Sequence, residues 1–245
     1  MTRINNIIGF IPARGGSKEI KNKNICIVEG RPLIYYVLDS AIASNCFEKL
    51  IVSTDCPKIK NTVSQYESNL IEIEDRKQSL SSDSSTTESV LLEYAKHNEF
   101  DWMFLIQVTS PLTKHTDFQN AVDILQRENA DTLVTTVEQQ RFRWAYNEEN
   151  LFKPLNYNPK KRSLRQDVKT VEYVENGAFY AFRKSGLLKH KSRLYGKIAN
   201  CVMRKETYSE LDDKEDLEII RKLIINEHGI KQTFNKSTHQ KFIGK

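Results

Sequence analysis

The stretch from Ile7 to Asn24 constrains this chain most. The apolar run Ile7-Ile8-Gly9-Phe10-Ile11 ends at Pro12, and Arg14-Gly15-Gly16-Ser17-Lys18 follows at once, with Lys21 and Lys23 close behind. A buried strand therefore stops at a sharp turn in which two glycines are free to take φ > 0. Backbone N–H groups and fixed cations then converge on one point, an arrangement that cradles phosphate oxygens. The P-loop pattern, Gly-x4-Gly-Lys-Ser/Thr running into a helix, is not met, because Lys18 follows Gly15-Gly16-Ser17 directly. Read alone, the two glycines also fit a solvated surface turn. Arg14 and Lys18 on either side of them, straight after a first strand, favour the phosphate reading.

Downstream, apolar strands alternate with amphipathic helices. Leu33–Ser44 carries Leu33, Ile34, Val37, Leu38, Ala41 and Ile42 at helical spacing behind Pro32. The same reading predicts strands over Leu50–Thr54, Leu70–Ile73, Trp102–Val108 and Thr132–Val137. It predicts helices over Lys58–Glu67, Ser85–His97, with Ser and Thr at its cap, and Thr116–Glu128. The rhythm implies an α/β fold, a three-layer sandwich around a mainly parallel sheet. Ligands of such sheets bind beyond the carboxyl ends of the strands, where Arg14–Lys18, Asp55 and Gln107–Ser110 fall. From about Glu138 to Glu172 the rhythm breaks into a segment rich in Arg, Asn, Pro and aromatics (Phe142, Trp144, Tyr146, Phe152, Tyr157). So long a structureless loop is unusual inside a domain, and the segment is expected to protrude and pack on another subunit. Ala178–Phe182 resumes as a strand, Asn200–Met203 is a further one, Asp213–Ile225 is a final helix, and the polar tail after His228 is expected to be loose. The whole is read as a single domain over residues 1–245.

Charge narrows the ligand. The chain carries a net charge of +5, concentrated in the first loop and in Lys160-Lys161-Arg162-Ser163-Leu164-Arg165. These clusters sit in separate loops without a base-stacking aromatic motif, so a small polyanion such as a nucleoside triphosphate suits them better than nucleic acid. No stretch approaches the roughly 18 apolar residues of a membrane span, and the N-terminus does not read as a signal peptide. The four cysteines, Cys26, Cys46, Cys56 and Cys201, have neither C-x-x-C nor zinc spacing. They are read as packing residues, reduced thiols of a cytoplasmic protein.

Together the motifs carry a family. Ile11-Pro-Ala-Arg-Gly-Gly-Ser-Lys18 with Lys23-Asn24-Ile25 resembles the nucleotide-binding signature of the sugar-acid cytidylyltransferases. Val52-Ser-Thr-Asp55, Ser82-Asp-Ser-Ser-Thr86, Gln107-Val-Thr-Ser-Pro111, Glu175-Asn-Gly-Ala178 and Glu210-Leu-Asp212 follow in that family's order. The segment with Phe142-Arg-Trp144, Pro154-Leu-Asn-Tyr-Asn-Pro159 and Arg165-Gln-Asp167 is similar to the acylneuraminate branch. Two positions depart from the pattern: Glu19 stands where the family usually has Gly, and Glu210 where sialate enzymes commonly carry Asp.

The resemblance implies an α/β/α nucleotidyltransferase sandwich, Rossmann-like, with residues 138–172 as an inserted dimerisation segment of a homodimer or dimer of dimers. It implies transfer of CMP from CTP to a nonulosonic acid with Mg²⁺ present. N-acetylneuraminate is the foremost acceptor, and legionaminate or an eight-carbon acid are the alternatives. Arg14, Lys18, Arg165 and Asp212 are the implied catalytic residues. Arg14, Gly15, Ser17, Lys18, Lys23, Asn24, Arg76, Ser85, Thr87 and Asn176 would bind the nucleotide. Gln107, Ser110, Arg165 and Tyr180 would bind the acceptor, and Asp212 with Glu210 the metal. Without the resemblance, several of these have plainer readings: Asp55 as a helix cap, Ser82–Thr87 as a polar loop, Asn176-Gly177 as a turn, Glu210 and Asp212 as a solvated acidic face, and Arg165 as a rim charge. A non-catalytic nucleotide-binding relative is the competing class of function.

Overall fold

In the computed structural model, which describes residues 4–17, 19–81, 85–161 and 171–239 (residues 227–239 as backbone only), the first apolar run forms β1 (Ile7–Pro12). A strand covered by helices on both faces must be apolar on both. Accordingly Ile7 and Ile11 enter one core while Ile8 and Phe10 enter another. A short hairpin, β2 (Ile27–Val28) and β3 (Arg31–Pro32), leads into α1 (Leu33–Ser44). Then follow β4 (Lys49–Thr54), α2 (Pro57–Ser64), β5 (Ile71–Asp75), α3 (Thr87–His97), β6 (Trp102–Ile106), α4 (His115–Glu128) and β7 (Thr132–Gln139). Beyond them lie β8 (Trp144–Tyr146), β9 (Phe152–Pro154), β10 (Glu172–Arg183), α5 (Lys184–His190), β11 (Ile198–Met203) and α6 (Lys214–His239).

Seven strands form one sheet in the order β11-β7-β10-β6-β1-β4-β5. Every pairing is parallel except those of β10, which runs antiparallel between β6 and β7. One core lies under α1, α2, α4 and α6, where Leu33, Val37, Ile59, Phe118 and Ile220 meet the sheet. The other lies under α3 and α5, through Leu91, Tyr94 and Leu187. Phe118 is fully buried and packs on the rings of Phe47, Phe104 and Phe179 at 4.8–6.5 Å. Truncating such a ring to alanine costs about 3–5 kcal/mol.

Three expectations are corrected here. The strand predicted at Ala178–Phe182 starts at Glu172, because a register shift between Glu175 and Tyr180 interrupts its apolar alternation. Asn176-Gly177 is that bulge, with Gly177 at φ +63°, and not a turn between elements. The tail expected to be loose continues α6 to His239. Apolar periodicity ends near Ile225, but of the residues that follow only Gly229 is a poor helix former, at about 1 kcal/mol.

In the segment 138–172, β8 and β9 pair as an antiparallel hairpin. Trp144 stacks on Phe152 at 5.1 Å, and Tyr146 packs on the same ring. Trp144, Tyr146, Phe152 and Leu155 are nonetheless exposed. Among the described residues no helix is long and apolar enough to cross a membrane. The four cysteines are free thiols, Cys201 buried and the others half-buried against the larger core.

Candidate active site

The loop after β1 is held by three hydrogen bonds that its sequence makes possible. The Gly15 N–H donates to Asp55 Oδ1 at 3.0 Å, the Ser17 N–H to the Gly15 carbonyl at 3.1 Å, and Asn24 Nδ2 to the Arg14 carbonyl at 3.0 Å. Asp55 therefore fixes the loop from the end of β4. It is not the cap of α2, whose cap residue is Cys56. The glycines do not take φ > 0, contrary to the expectation from sequence. Gly15 is required by contact instead: a Cβ there would lie 2.9 Å from Cys56 Cβ, while one at Gly16 would meet open space.

Arg14, Ser17, Lys23, Asn24, Arg76, Ser85, Thr87 and Gln107 line one cleft of about 530 Å³, a size suited to a small molecule. Glu19 and Thr86 complete part of its wall. Arg76 is anchored to Ser53, donating through Nη2 to the carbonyl at 2.9 Å and through Nε to Oγ at 3.3 Å. Burial lowers its pKa, against the pull of Asp55 and Glu74, yet a guanidinium stays protonated in proteins. Thr86 caps α3, accepting from the Ser89 N–H at 3.2 Å, so the positive end of that helix also faces the cleft. Three cations and a helix N-terminus around one cavity describe a polyanion site.

Gln107 also lines a second pocket of about 290 Å³, with Thr109, Glu175, Gly177, Tyr180, Arg193 and Glu210. Tyr180 donates to Glu175 Oε2 at 2.8 Å, and burial followed by that carboxylate pushes its pKa up to about 12. Of this set, sequence reasoning singled out Gln107, Tyr180 and Glu210. Glu175 lay inside a quoted motif without being assigned a role. No spacing in the sequence marks Arg193.

The acidic segment after β11 is pinned by Leu211, fully buried, whose N–H donates to the Thr109 carbonyl at 2.9 Å. Its carboxylates divide into two pairs. Asp213 and Asp216 cap α6: Asp213 Oδ1 accepts from the Glu215 and Asp216 N–H groups, and Asp216 Oδ2 from those of Asp212 and Asp213. Of the remaining two, Glu210 lines the second pocket and Asp212 is exposed. Burial, then the charge of Asp212, raises the Glu210 carboxyl to about 7. Asp212 pairs with Lys23 at 3.1 Å. Gly177 makes room for Glu210, since a Cβ at that position would lie 2.0 Å from Oε1. A carboxyl raised by burial and by the charge of Asp212 is one whose ionised form a hard cation would favour.

Among the described residues, four named from the sequence line neither cavity: Gly15 and Asp212, described above, and Asn176 and Ser110. Asn176 is 1% exposed and its amide donates inward, to Thr207 Oγ1 at 2.9 Å and Met203 Sδ at 3.3 Å. Ser110 is also 1% exposed, and its N–H closes a turn onto the Gln107 carbonyl at 3.3 Å. Lys18 and Arg165 lie outside the described residues.

Comparison with known proteins gives this geometry a family. A protein-family model described as cytidylyltransferase matches residues 8–239. N-acylneuraminate cytidylyltransferase A of Danio rerio is 33% identical over 84% of this chain and 48% of its own length. The N-acylneuraminate cytidylyltransferase of Streptococcus agalactiae serotype V is 28% identical over 94% of this chain and 56% of its own. The chain thus spans about half the length of these relatives. The CMP-N,N'-diacetyllegionaminic acid synthase of Legionella pneumophila is 28% identical over 76% of this chain and 82% of its own. Among solved structures, a CMP:2-keto-3-deoxy-manno-octonic acid synthetase complexed with CTP superposes with a TM-score of 0.66 at 16% identity, covering 91% of this chain and 100% of that one. That likeness is one of fold.

Proposed function

The chain belongs to the cytidylyltransferase family, and from that premise we propose that it transfers CMP from CTP to the anomeric hydroxyl of a nonulosonic acid, N-acetylneuraminate foremost, and releases pyrophosphate. The observation that carries this reading is the meeting of two cavities at Gln107, one cationic and one bordered by Glu210, with Asp212 paired to Lys23 of the first. The names of the relatives support a sialic-type acceptor. Legionaminate is the second reading, favoured by the relative from Legionella pneumophila, most of whose length this chain matches.

In this account the triphosphate lies against Arg14, Lys18 and Lys23 and the N-terminus of α3. Their charge offsets the negative charge that moves onto the leaving pyrophosphate, and because Arg14, Lys23 and the helix terminus already line the cleft, little reorganisation is spent at the moment of reaction. Asn24 and Asp55 hold the loop in register with the sheet. Arg76 borders the end of the cleft assigned to the base and ribose. Gln107 spans the junction and orients the acceptor, with Tyr180 as the wall of its pocket. Glu210 and Asp212 would hold Mg²⁺, which supplies charge neutralisation at the α-phosphate when bound. Lys23, which pairs with Asp212, lines the larger cleft and would share in holding the phosphates.

The exposed aromatic hairpin β8–β9 is proposed as the contact with a second copy. Large apolar side chains left in water on a protruding ribbon mark an interaction surface, and stable interfaces of this type bury more than about 2,000 Å² in total. Light scattering is expected to give at least a dimer at micromolar concentration, and Tyr146→Asp with Phe152→Asp is expected to give monomers. A fully active monomer removes this part of the proposal. Pyrophosphate release from CTP and Mg²⁺, scored across a panel of nonulosonic acids, tests the whole. A non-catalytic nucleotide-binding protein gives no release with any acid.

A further inference from the structure

Arg193 is a cation placed by long-range contacts that the reading above leaves without a role. It lies between α5 and β11, on a stretch fastened at both ends. Lys191 closes α5 in the left-handed region at φ 54°, and Tyr195 exchanges hydrogen bonds with the Arg183 backbone at 3.1 and 3.2 Å. From there the side chain reaches α3 and β10. Its Nε donates to Glu88 Oε1, on the first turn of α3, at 2.7 Å. Its guanidinium lies over the Tyr180 ring, 4.8 Å from the centroid. The side chain is only 23% exposed. Among the described residues it is the one cation lining the smaller pocket, and none of them bonds to Nη1 or Nη2.

A guanidinium is all donors and no acceptor. With one face on an aromatic ring and Nε already bonded, what remains is the outer edge carrying Nη1 and Nη2. That edge pairs end-on with a planar oxygen acceptor, a carboxylate or an amide carbonyl. The stacking and the Glu88 bond hold the edge in place before a ligand arrives, which lowers the entropy spent on binding. We propose that Arg193 is a specificity-determining residue of the acceptor pocket, offering its Nη1–Nη2 edge to a carboxylate or acylamino carbonyl oxygen of the sugar acid. The assignment rests on the acceptor reading given above, and it deepens that reading by naming the group recognised.

The test measures KM for the acceptor and for CTP separately, with Mg²⁺, on whichever acid of the panel turns over fastest and on its analogue with a hydroxyl in place of the acylamino group. Arg193→Ala is expected to raise the acceptor KM by about 10–100-fold, the worth of a hydrogen bond to a charged group, while the CTP KM stays within about twofold. Arg193→Lys is expected to recover only part of the loss, because an ammonium has charge but no fork. It also reads the same split should the alanine variant fail to fold. A loss on both acids places the recognised oxygen on the carboxylate. A loss confined to the acylamino acid places it on the carbonyl. An acceptor KM within about threefold of the parent, or a rise shared equally with CTP, overturns the assignment and leaves Arg193 as a tie between α3 and the loop. If the unaltered chain turns over no acid at all, the proposed function itself fails and takes this inference with it.

Discussion

The two cavities that meet at Gln107 sit at the same edge of one sheet but are built by different means. One wall of the larger is a contiguous stretch, with Arg14, Ser17, Glu19, Lys23 and Asn24, that leaves β1 and is fastened to the end of β4 through Asp55; the other is Arg76, held by Ser53, and the start of α3. Its ligand groups are cations and a helix terminus. The smaller draws Gly177 from a bulge in the antiparallel strand, Arg193 from a loop past α5, and Glu210 from the segment before α6. Side chains tied across long sequence separations decide its shape. A phosphate site built from loop geometry and charge is constrained as a unit. A pocket built from separate side chains can change one wall at a time, which suits a family whose members' names include different sugar acids.

That contrast can be broken by substitution. The largest effect is expected at Lys18→Ala, which removes a charge from the contiguous loop. Losing one charged contact to the transferring phosphates costs on the order of 10²–10³ in kcat, and the acceptor KM should barely move. A variant within about threefold of the parent rate would reduce Lys18 to a surface charge. Asp212→Asn comes next. It keeps the shape, removes the charge paired with Lys23 at 3.1 Å, and is expected to cut turnover by about tenfold or more and flatten the Mg²⁺ dependence. Circular dichroism checks the fold, and an unchanged Mg²⁺ profile would place the metal elsewhere.

Gly177→Ala probes the smaller pocket. A side chain at φ +63° whose Cβ falls 2.0 Å from Glu210 Oε1 costs about 1–2 kcal/mol in backbone strain alone. It should therefore lower the melting temperature and raise the acceptor KM more than that of CTP. Equal shifts in both would show that the two cavities are one mechanical unit. The smallest effect belongs to Glu210→Gln. Its carboxyl has an ordinary value of 4.5 and is raised to about 7 in the fold by burial and Asp212. A carboxyl raised on folding is no burden below pH 4.5 and lowers stability as pH climbs toward 7. Metal-free Glu210→Gln should then melt above the parent at pH 8, by on the order of 1 kcal/mol, and match it at pH 4. Its Mg²⁺-dependent turnover should fall.

The same contrast explains what the sequence disclosed. Strand β1, helix α1 and the cationic loop are local: apolar runs, Pro32 before a helix, and charges bracketing glycines all speak within a dozen residues. The reason for Gly15 was not legible, because it is a contact with Cys56, beyond the next strand in sequence, and not a dihedral. The first half of β10 was hidden by Glu175, Asn176 and Gly177, polar and small residues at the break in its ladder. Asn176 looked like a ligand residue because it sits in a motif, yet its amide is bonded inside the fold to Thr207. Arg193 carried no signal, since its meaning lies in Glu88, more than a hundred positions earlier, and in the ring of Tyr180.

The central claim is a transfer that needs both cavities filled at once. The direct measurement follows pyrophosphate and CMP-sugar together, with CTP, UTP or ATP as donor, Mg²⁺ present, and a nonulosonic acid present or withheld. The account predicts equal amounts of both products from CTP and acid and almost none without the acid. Rates with UTP or ATP should be lower by orders of magnitude, because a site that hydrogen-bonds one base leaves its polar groups unpaired with another. Pyrophosphate released without acid, or ATP used as readily as CTP, would contradict it.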